Sequence, residues 1–227
     1  MFPRGTRLLR FGPPERKDDT GTMAIRLLLV DDDERVRSEL ANLIGREDGL
    51  TLVGQAGSTA DALTIAAETH PEVVLTEAIL PDGPGAELSR GLRSAYPRLR
   101  VLLVTSLPAD GAFVHASIGG ASGYLLKPIR QGEVVDAIRR VAEGESLLDT
   151  ALMGRILGRL LEEPDEGDGK LQIGEPEKRI LVLVAEGLTD PEIAERIGLE
   201  PEDVTRRVRT LLVKLGIRSS TPTGRRD

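Results

Sequence analysis

The stretch PEVVLTEAILPDGPG, residues 71–85, decides the fold. It opens with a short apolar run, reaches a carboxylate at Glu77, and turns through Pro81, Gly83, Pro84 and Gly85. An apolar run of that length closed by turn residues predicts a buried strand leading into a loop. In open α/β sheets chemistry gathers beyond the carboxyl ends of the strands, which is where Glu77 falls. One acid in such a place is more often a solvated loop residue. Three other apolar runs, however, end in matching groups. Residues 25–30 lead to Asp31, Asp32 and Asp33, residues 101–104 to Thr105 and Ser106, and residues 124–126 to Lys127-Pro128. Two or three carboxylates, a hydroxyl and a lysine at four strand ends make a coherent pocket for a cation and a phosphoryl group.

Working outward, strand and helix patterns alternate five times. Strands are expected at 25–30, 50–56, 73–76, 100–104 and 123–126. The first intervening helix places Val36, Leu40, Leu43 and Ile44 on one face. The second covers 59–67, the third 86–94 and the fourth, the weakest pattern, 111–118. The fifth presents Val134, Ile138, Val141 and Ala142. This order predicts an α/β domain with a doubly wound, five-stranded parallel sheet covered on both faces.

The remainder reads as a small all-α unit. Ile180, Leu181, Leu183 and Val184 share a face, and Gly187 ends that helix. Thr189 to Glu192 fits a T-x-x-E capping box opening a short helix with Ile193 and Ile197. After Gly198, Glu200-Pro201 begins a longer helix with Val204, Val208, Leu211, Leu212 and Leu215 facing inward. Two helices across a tight Gly-containing turn describe a helix-turn-helix. The expected divisions are a disordered extension at 1–23, an α/β domain at 24–145, a linker at 146–172, the helix-turn-helix at 173–221 and a tail at 222–227. Met23, just before the first strand, offers a second explanation of the extension, an overlong start. In the linker, Leu152, Met153, Ile156, Leu157, Leu160 and Leu161 form an apolar stripe. It suits packing on the chain's own domains or a dimerising helix. EEPDEGDGK, at 162–170, reads as an exposed acidic linker.

The formal charge of -7 is uneven. From Lys170 onward 11 basic face 10 acidic residues, so the first 169 residues carry -8. The two parts are suited to different partners. The absence of cysteine excludes disulfides, thiolate metal sites and cysteine nucleophiles. The two histidines, His70 and His115, are too far apart in sequence to suggest a metal cage. No apolar run approaches the ~20 residues of a membrane span, and residues 1–22 lack the apolar core of a signal peptide. A cytoplasmic location is expected.

Together these motifs resemble the LuxR/NarL-type two-domain response regulators, over about residues 24–221. LLLVDDDERVR resembles the first strand and acidic pair of their receiver domain, mapping to Asp31 and Asp32. VVLTEAILPDGPG resembles the phospho-acceptor segment, VLLVTS places the hydroxyl at Thr105, and GASGYLLKP places the lysine at Lys127 and the switch aromatic at Tyr124. GASGYLLKP through SLLD looks most like actinobacterial dormancy-type regulators. LVAEGLTDPEIAERIGL followed by LVKLGIRS matches the DNA-binding half. The resemblance implies a phosphoryl group accepted from a histidine kinase, Mg²⁺ held by the carboxylates Asp31, Asp32 and Glu77, and dimers that read a two-fold DNA site. It implies a regulator and not an enzyme.

Three departures modify that expectation. The acceptor position, aspartate in the family, is Glu77, whose carboxylate extends further by about 1.5 Å. A displacement of that size disturbs in-line transfer and costs roughly 10²-fold. Glu77 would then either imitate part of a phosphoaspartate toward Thr105 and Lys127 or leave a dead switch. Asp33 and Asp82 do not match the acceptor and read as solvated loop acids. In the reading helix, Glu200, Glu202 and Asp203 suit a helix N-terminus but not a DNA backbone. The residues expected to meet DNA are Thr205, at the family's lysine position, with Arg206, Arg207, Arg209 and Lys214. The bland alternative is a solvated charged face. At the end, RSSTPTGRRD has no apolar face where the family carries a fourth helix used in dimer contacts.

The sequence therefore predicts a DNA-binding, phosphorylation-independent transcription regulator acting as a homodimer. The alternative is a degenerate regulator that acts by dimerising with an intact sibling. A phosphatase reading of Asp31-x-Asp33 lacks the further acidic pair that such enzymes place after later strands.

Overall fold

A computed structural model describes residues 24–148 and 174–214. The expected extension at 1–23, the linker stripe at 152–161, the acidic linker, Leu215 and the tail lie outside the described residues.

The first domain is built on β1 (Ile25–Val30), β2 (Leu50–Ala56), β3 (Val73–Thr76), β6 (Arg100–Thr105) and β7 (Gly123–Leu126). They form one parallel sheet in the order β2-β1-β3-β6-β7. The predicted doubly wound sheet is thus the one observed. Alternation along each strand sends successive side chains to opposite faces. Leu27, Leu29, Leu75, Leu102 and Val104 join Leu40 and Ile44 of α1 (Glu34–Ile44) and Val134, Ile138 and Val141 of α5 (Gln131–Ala142). Leu28, Val30, Val74, Val101 and Leu103 meet α2 (Thr59–Thr69), α3 (Gly85–Ala95) and α4 (Ala109–Ile118) through Ala62, Ala66, Leu88, Leu92 and Ala116. The helices follow the predicted spans within two residues.

Between β3 and α3 the chain makes a small hairpin, β4 (Ile79–Leu80) against β5 (Gly83–Pro84). The turn places Asp82 over the start of α2. Its carboxylate accepts from Thr59 N at 2.8 Å, Thr59 Oγ1 at 2.7 Å and Ala60 N at 3.0 Å. Asp82 is exposed, as expected of a loop acid, and also serves as a cap supplied from another element, satisfying orphan amides. Asp33, likewise exposed, is the N-cap of α1 and accepts from Arg35 N at 2.8 Å.

The second unit contains α6 (Glu175–Ala185), α7 (Asp190–Ile197) and α8 (Pro201–Lys214). Glu192 accepts from Thr189 N at 2.7 Å, as the capping-box motif predicts. Gly198 closes α7 in the left-handed region at φ 71°, which leads the chain into α8. Ile180, Leu181, Leu183, Val184, Ile193, Val204, Val208, Leu211 and Leu212 are buried together. Ala86 of α3 and Ile118 of α4 belong to the same cluster, so the two domains share a continuous apolar contact.

Candidate functional site

The pocket follows from the sheet register. Val30 of β1 pairs with Thr76 of β3, and Thr105 of β6 with Leu126 of β7. Backbone bonds carry the ladder one residue further. Asp31 N donates to Ala56 O at 3.1 Å, Glu77 N to Val30 O at 2.8 Å and Lys127 N to Thr105 O at 2.8 Å. Each functional side chain is thus pinned to the next strand. Gly85 is required here, because its amide donates to Ala78 O at 2.9 Å and an added Cβ would collide with the Glu77 carbonyl oxygen. The Lys127-Pro128 peptide bond is cis.

Lys127 lies between the two buried acids. Its Nζ donates to Asp31 Oδ2 at 2.5 Å and to Glu77 Oε2 at 2.8 Å. The other oxygens are also engaged: Asp31 Oδ1 accepts from Asp33 N at 3.0 Å, and Glu77 Oε1 from Ala78 N at 2.6 Å. Burial pushes the Asp31 carboxyl up, opposed by hydrogen bonds from Lys127 and Asp33. Burial works against the Lys127 ammonium, but its bonds to Asp31 and Glu77 and their charges prevail and raise it above its ordinary 10.5.

The expected pocket is only partly assembled. Asp31, Glu77 and Lys127 meet directly. Thr105 is buried nearby in sequence register, but its Oγ1 accepts from Leu107 N at 3.2 Å, and no bond joins it to Glu77. Tyr124 turns partly inward, edge-on to Phe113 with ring centroids 6.3 Å apart. Asp32 is exposed. Among the described residues no group of three His, Cys, Asp or Glu is arranged to hold a metal ion. The metal set Asp31, Asp32 and Glu77 is therefore not gathered as such: Asp32 is exposed, and Lys127 lies between the other two carboxylates.

His115, passed over in the sequence because no second ligand accompanied it, is buried on α4 with Nδ1 unpartnered. Burial pushes its imidazole down, against a bond with the Ala78 backbone and the charge of Glu77. It therefore links α4 to the acceptor segment.

The reading helix is engaged by acids. Thr205 Oγ1 donates to Asp190 Oδ2 at 2.6 Å, Arg206 pairs with Asp203, and Lys214 pairs with Glu177 at 2.6 Å. Arg209 pairs with Glu87 of α3, across the domain boundary. Arg207 is exposed beside Glu175, Lys178 and Arg179 along a groove. A further contact had no sequence signal. Arg90 of α3, itself buried, donates through Nε to Asp190 Oδ1 at 2.9 Å and through a terminal nitrogen to Ile118 O at 3.1 Å. Asp190 thus joins the first domain to the reading helix. Arg93 adds a bond to Gly187 O at 3.0 Å.

Comparison with known proteins agrees with both halves. The model described as "Response regulator receiver domain" matches residues 27–139. The DNA-binding transcriptional activator DevR/DosR of Mycobacterium tuberculosis (strain ATCC 25618 / H37Rv) is 38% identical over 197 residues, covering 87% of this chain and 91% of that protein. The transcriptional regulatory protein LiaR of Bacillus subtilis (strain 168) is 29% identical over 197 residues, covering 87% and 93%. A solved two-component response regulator of the LuxR family from Aurantimonas sp. SI85-9A1 is 29% identical, covers 61% of this chain and 99% of that one, and has a TM-score of 0.53. Among the described residues no helix is long and apolar enough to cross a membrane. With the receiver sheet and the helix-turn-helix both in place, the chain belongs to the LuxR/NarL-type response regulators.

Proposed function

We propose that this chain is a DNA-binding transcription regulator whose receiver works without phosphorylation. The observation that carries this reading is the state of Glu77: both of its oxygens are bound, one by Ala78 N and the other by Lys127. A nucleophilic carboxylate needs an oxygen in line with the phosphodonor, and the longer side chain of Glu77 moves it by about 1.5 Å. The extra methylene of Glu77 places its carboxylate on Lys127, without Thr105. That is half of a phosphoaspartate imitation, with one negative charge instead of roughly -1.5 to -2. A histidine kinase is not required, and Mg²⁺ enters only as a weak ligand. Thr205, Arg206, Arg207, Arg209 and Lys214 carry the DNA contact, as a homodimer on a two-fold site. Arg209 has to leave Glu87 to take part. The location is cytoplasmic, and no enzymatic step is assigned.

Mass spectrometry after incubation with acetyl phosphate and Mg²⁺ tests the acceptor. The parent protein should gain no phosphoryl mass, and Glu77→Asp should gain one. Labelling of the parent at Glu77 would refute the reading. Glu77→Gln keeps the length and removes the charge, and weaker DNA binding by it would show that Glu77 holds the output on.

A second reading is favoured by the acids on the reading helix. With Thr205, Arg206, Arg209 and Lys214 engaged internally, the chain would act by pairing with an intact sibling regulator. A gel shift with and without the sibling separates the two. Binding by the chain alone, abolished in Arg206→Ala/Arg207→Ala, supports the first reading.

A further inference from the structure

The helix-turn-helix unit carries a groove of its own, away from the receiver pocket. Ile180 and Val182 of α6, Ile197 of α7 and Leu199 give it an apolar lining, and Lys178, Arg179 and Arg207 add three cations. Its volume is about 690 Å³, in the range of clefts that take a ligand or a short peptide. Val182 is 38% exposed, one of few large apolar side chains left in water among the described residues. Lys178 has an acid beside it, Glu175 at 3.0 Å, itself exposed. Arg179 and Arg207 are exposed and form no ion pair among the described residues. We infer that this groove is the docking site of the chain's own linker: Leu160 and Leu161 meet the apolar lining, and the acids of EEPDEGDGK, residues 162–170, meet Lys178, Arg179 and Arg207.

Charge and reach select that occupant. Three stretches of the chain, 1–23, 149–173 and 215–227, lie outside the described residues. The first has five basic against three acidic residues and the last three against one, so both are repelled by a cationic groove. The middle stretch has six acidic against three basic residues, and five of those acids follow Leu160 and Leu161 within seven positions. This order, apolar and then acidic, complements a groove with an apolar lining and cations. The same stretch enters α6 at Gly174, next to Glu175, which also lines the groove. From Glu175 to Val182 the helix rises only about 10 Å. Eleven residues separate Glu163 from Gly174, and they can span up to about 36 Å. Gly167 and Gly169 permit the chain to reverse on the way. A tether this short makes the contact intramolecular, so modest attraction is enough to hold it. The inference does not rest on phosphorylation of Glu77 or on DNA binding, although Arg207 is common to this groove and to the reading helix.

Limited proteolysis of the full chain with a glutamate-specific protease tests it, with cleavage at Glu162, Glu163 and Glu166 followed by mass spectrometry. Lys178→Ala/Arg179→Ala should be cut there at least about threefold faster than the parent. Raising NaCl from 0.05 to 0.5 M should speed cleavage of the parent and leave the variant nearly unchanged. Far-UV circular dichroism checks folding. Equal rates in the folded variant and the parent at low salt would overturn the inference. Loss of DNA affinity in that variant with the parent's cleavage rate would do the same, and would give the cations to phosphates. A second measurement stands apart from those substitutions. The chain has no cysteine, so Glu163→Cys/Val182→Cys introduces a single pair. Under mild oxidation it should close a disulfide within one chain, while Glu163→Cys/Glu133→Cys, with its second thiol on the receiver, should not. Disulfides formed mainly between chains would assign the groove to a second copy and overturn the inference, as would equal closure by both pairs.

Discussion

Two buried ion clusters hold different things together in this molecule. In the pocket, Lys127, Asp31 and Glu77 all hang from strand ends of one sheet. At the seam between domains, Arg90 and Asp190 come from units 100 residues apart in sequence. The chemistry is alike: a cation nearly out of water, a carboxylate, and further hydrogen bonds to complete each group. The conditions under which the contact exists are not alike. The pocket cluster forms whenever the receiver folds. The seam cluster forms only when two folded units dock. Removing one partner of a buried pair costs about 3–5 kcal/mol, because the other is left unpaired in a poor solvent. In the pocket that loss falls on folding. At the seam the stranded group regains water by undocking, so the loss falls on an equilibrium between arrangements.

The sharpest way to break this comparison is Arg90→Ala. It should weaken docking by about 3 kcal/mol, a shift of more than about 100-fold toward separated domains. Small-angle scattering would show a larger radius of gyration, while the denaturation midpoint of the receiver stays nearly unchanged. An unaltered scattering profile would place the hold on the apolar contact of Ala86 and Ile118 instead.

Lys127→Met should show the opposite pattern. It should lower receiver stability by about 2–4 kcal/mol and leave the scattering profile alone. The alkaline limb sharpens the point. Lys127 is raised above 10.5 in the folded state by its bonds to Asp31 and Glu77, which outweigh burial. Its contribution is therefore complete below 10.5 and is lost as pH rises through the folded value. Urea melts of the parent from pH 9 upward should show that decline, and melts of Lys127→Met should lack it. Equal slopes would mean that the ammonium contributes nothing to folding.

The smallest effect belongs to the surface. Arg209 is 62% exposed and its pair with Glu87 is worth about 0.2–1 kcal/mol. Glu87→Ala should release Arg209 and tighten DNA binding by about threefold at low salt. No change in a fluorescence-anisotropy titration would mean that the pair does not compete with DNA.

Most of the receiver was legible because each strand is short, apolar and closed by a polar residue. The ends of β1, β3 and β7 were therefore readable, and with them Asp31, Glu77 and Lys127. The helix α4 was the weakest expectation for a physical reason. It buries Ala112, Phe113, His115, Ala116, Ser117 and Ile118, toward the sheet on one side and α6 on the other, so it has no polar stripe to reveal a period. The hairpin β4–β5 has only two residues per strand, too few for any alternation to register. The capping role of Asp82 was not legible because a cap is defined by the amides it meets, and those of Thr59 and Ala60 lie more than 20 residues away. Arg90 and Asp190 looked like ordinary charged positions on helices. Nothing local distinguishes a charge that will be covered by another domain from one that faces water.

Gly85 has a mechanical consequence. With no side chain between them, the first turn of α3 rests directly on the backbone of the acceptor segment, held by the bond from its amide to Ala78 O. The same helix carries Glu87 and Arg90, two and five residues on, which grip the helix-turn-helix. Close packing of this kind leaves no slack to absorb displacement. The acceptor segment and the seam are therefore arranged as a stiff rod with a load at each end. The acceptor segment and the helix-turn-helix thus bear on one and the same helix, through Gly85 at its first residue and through Glu87 and Arg90 further along.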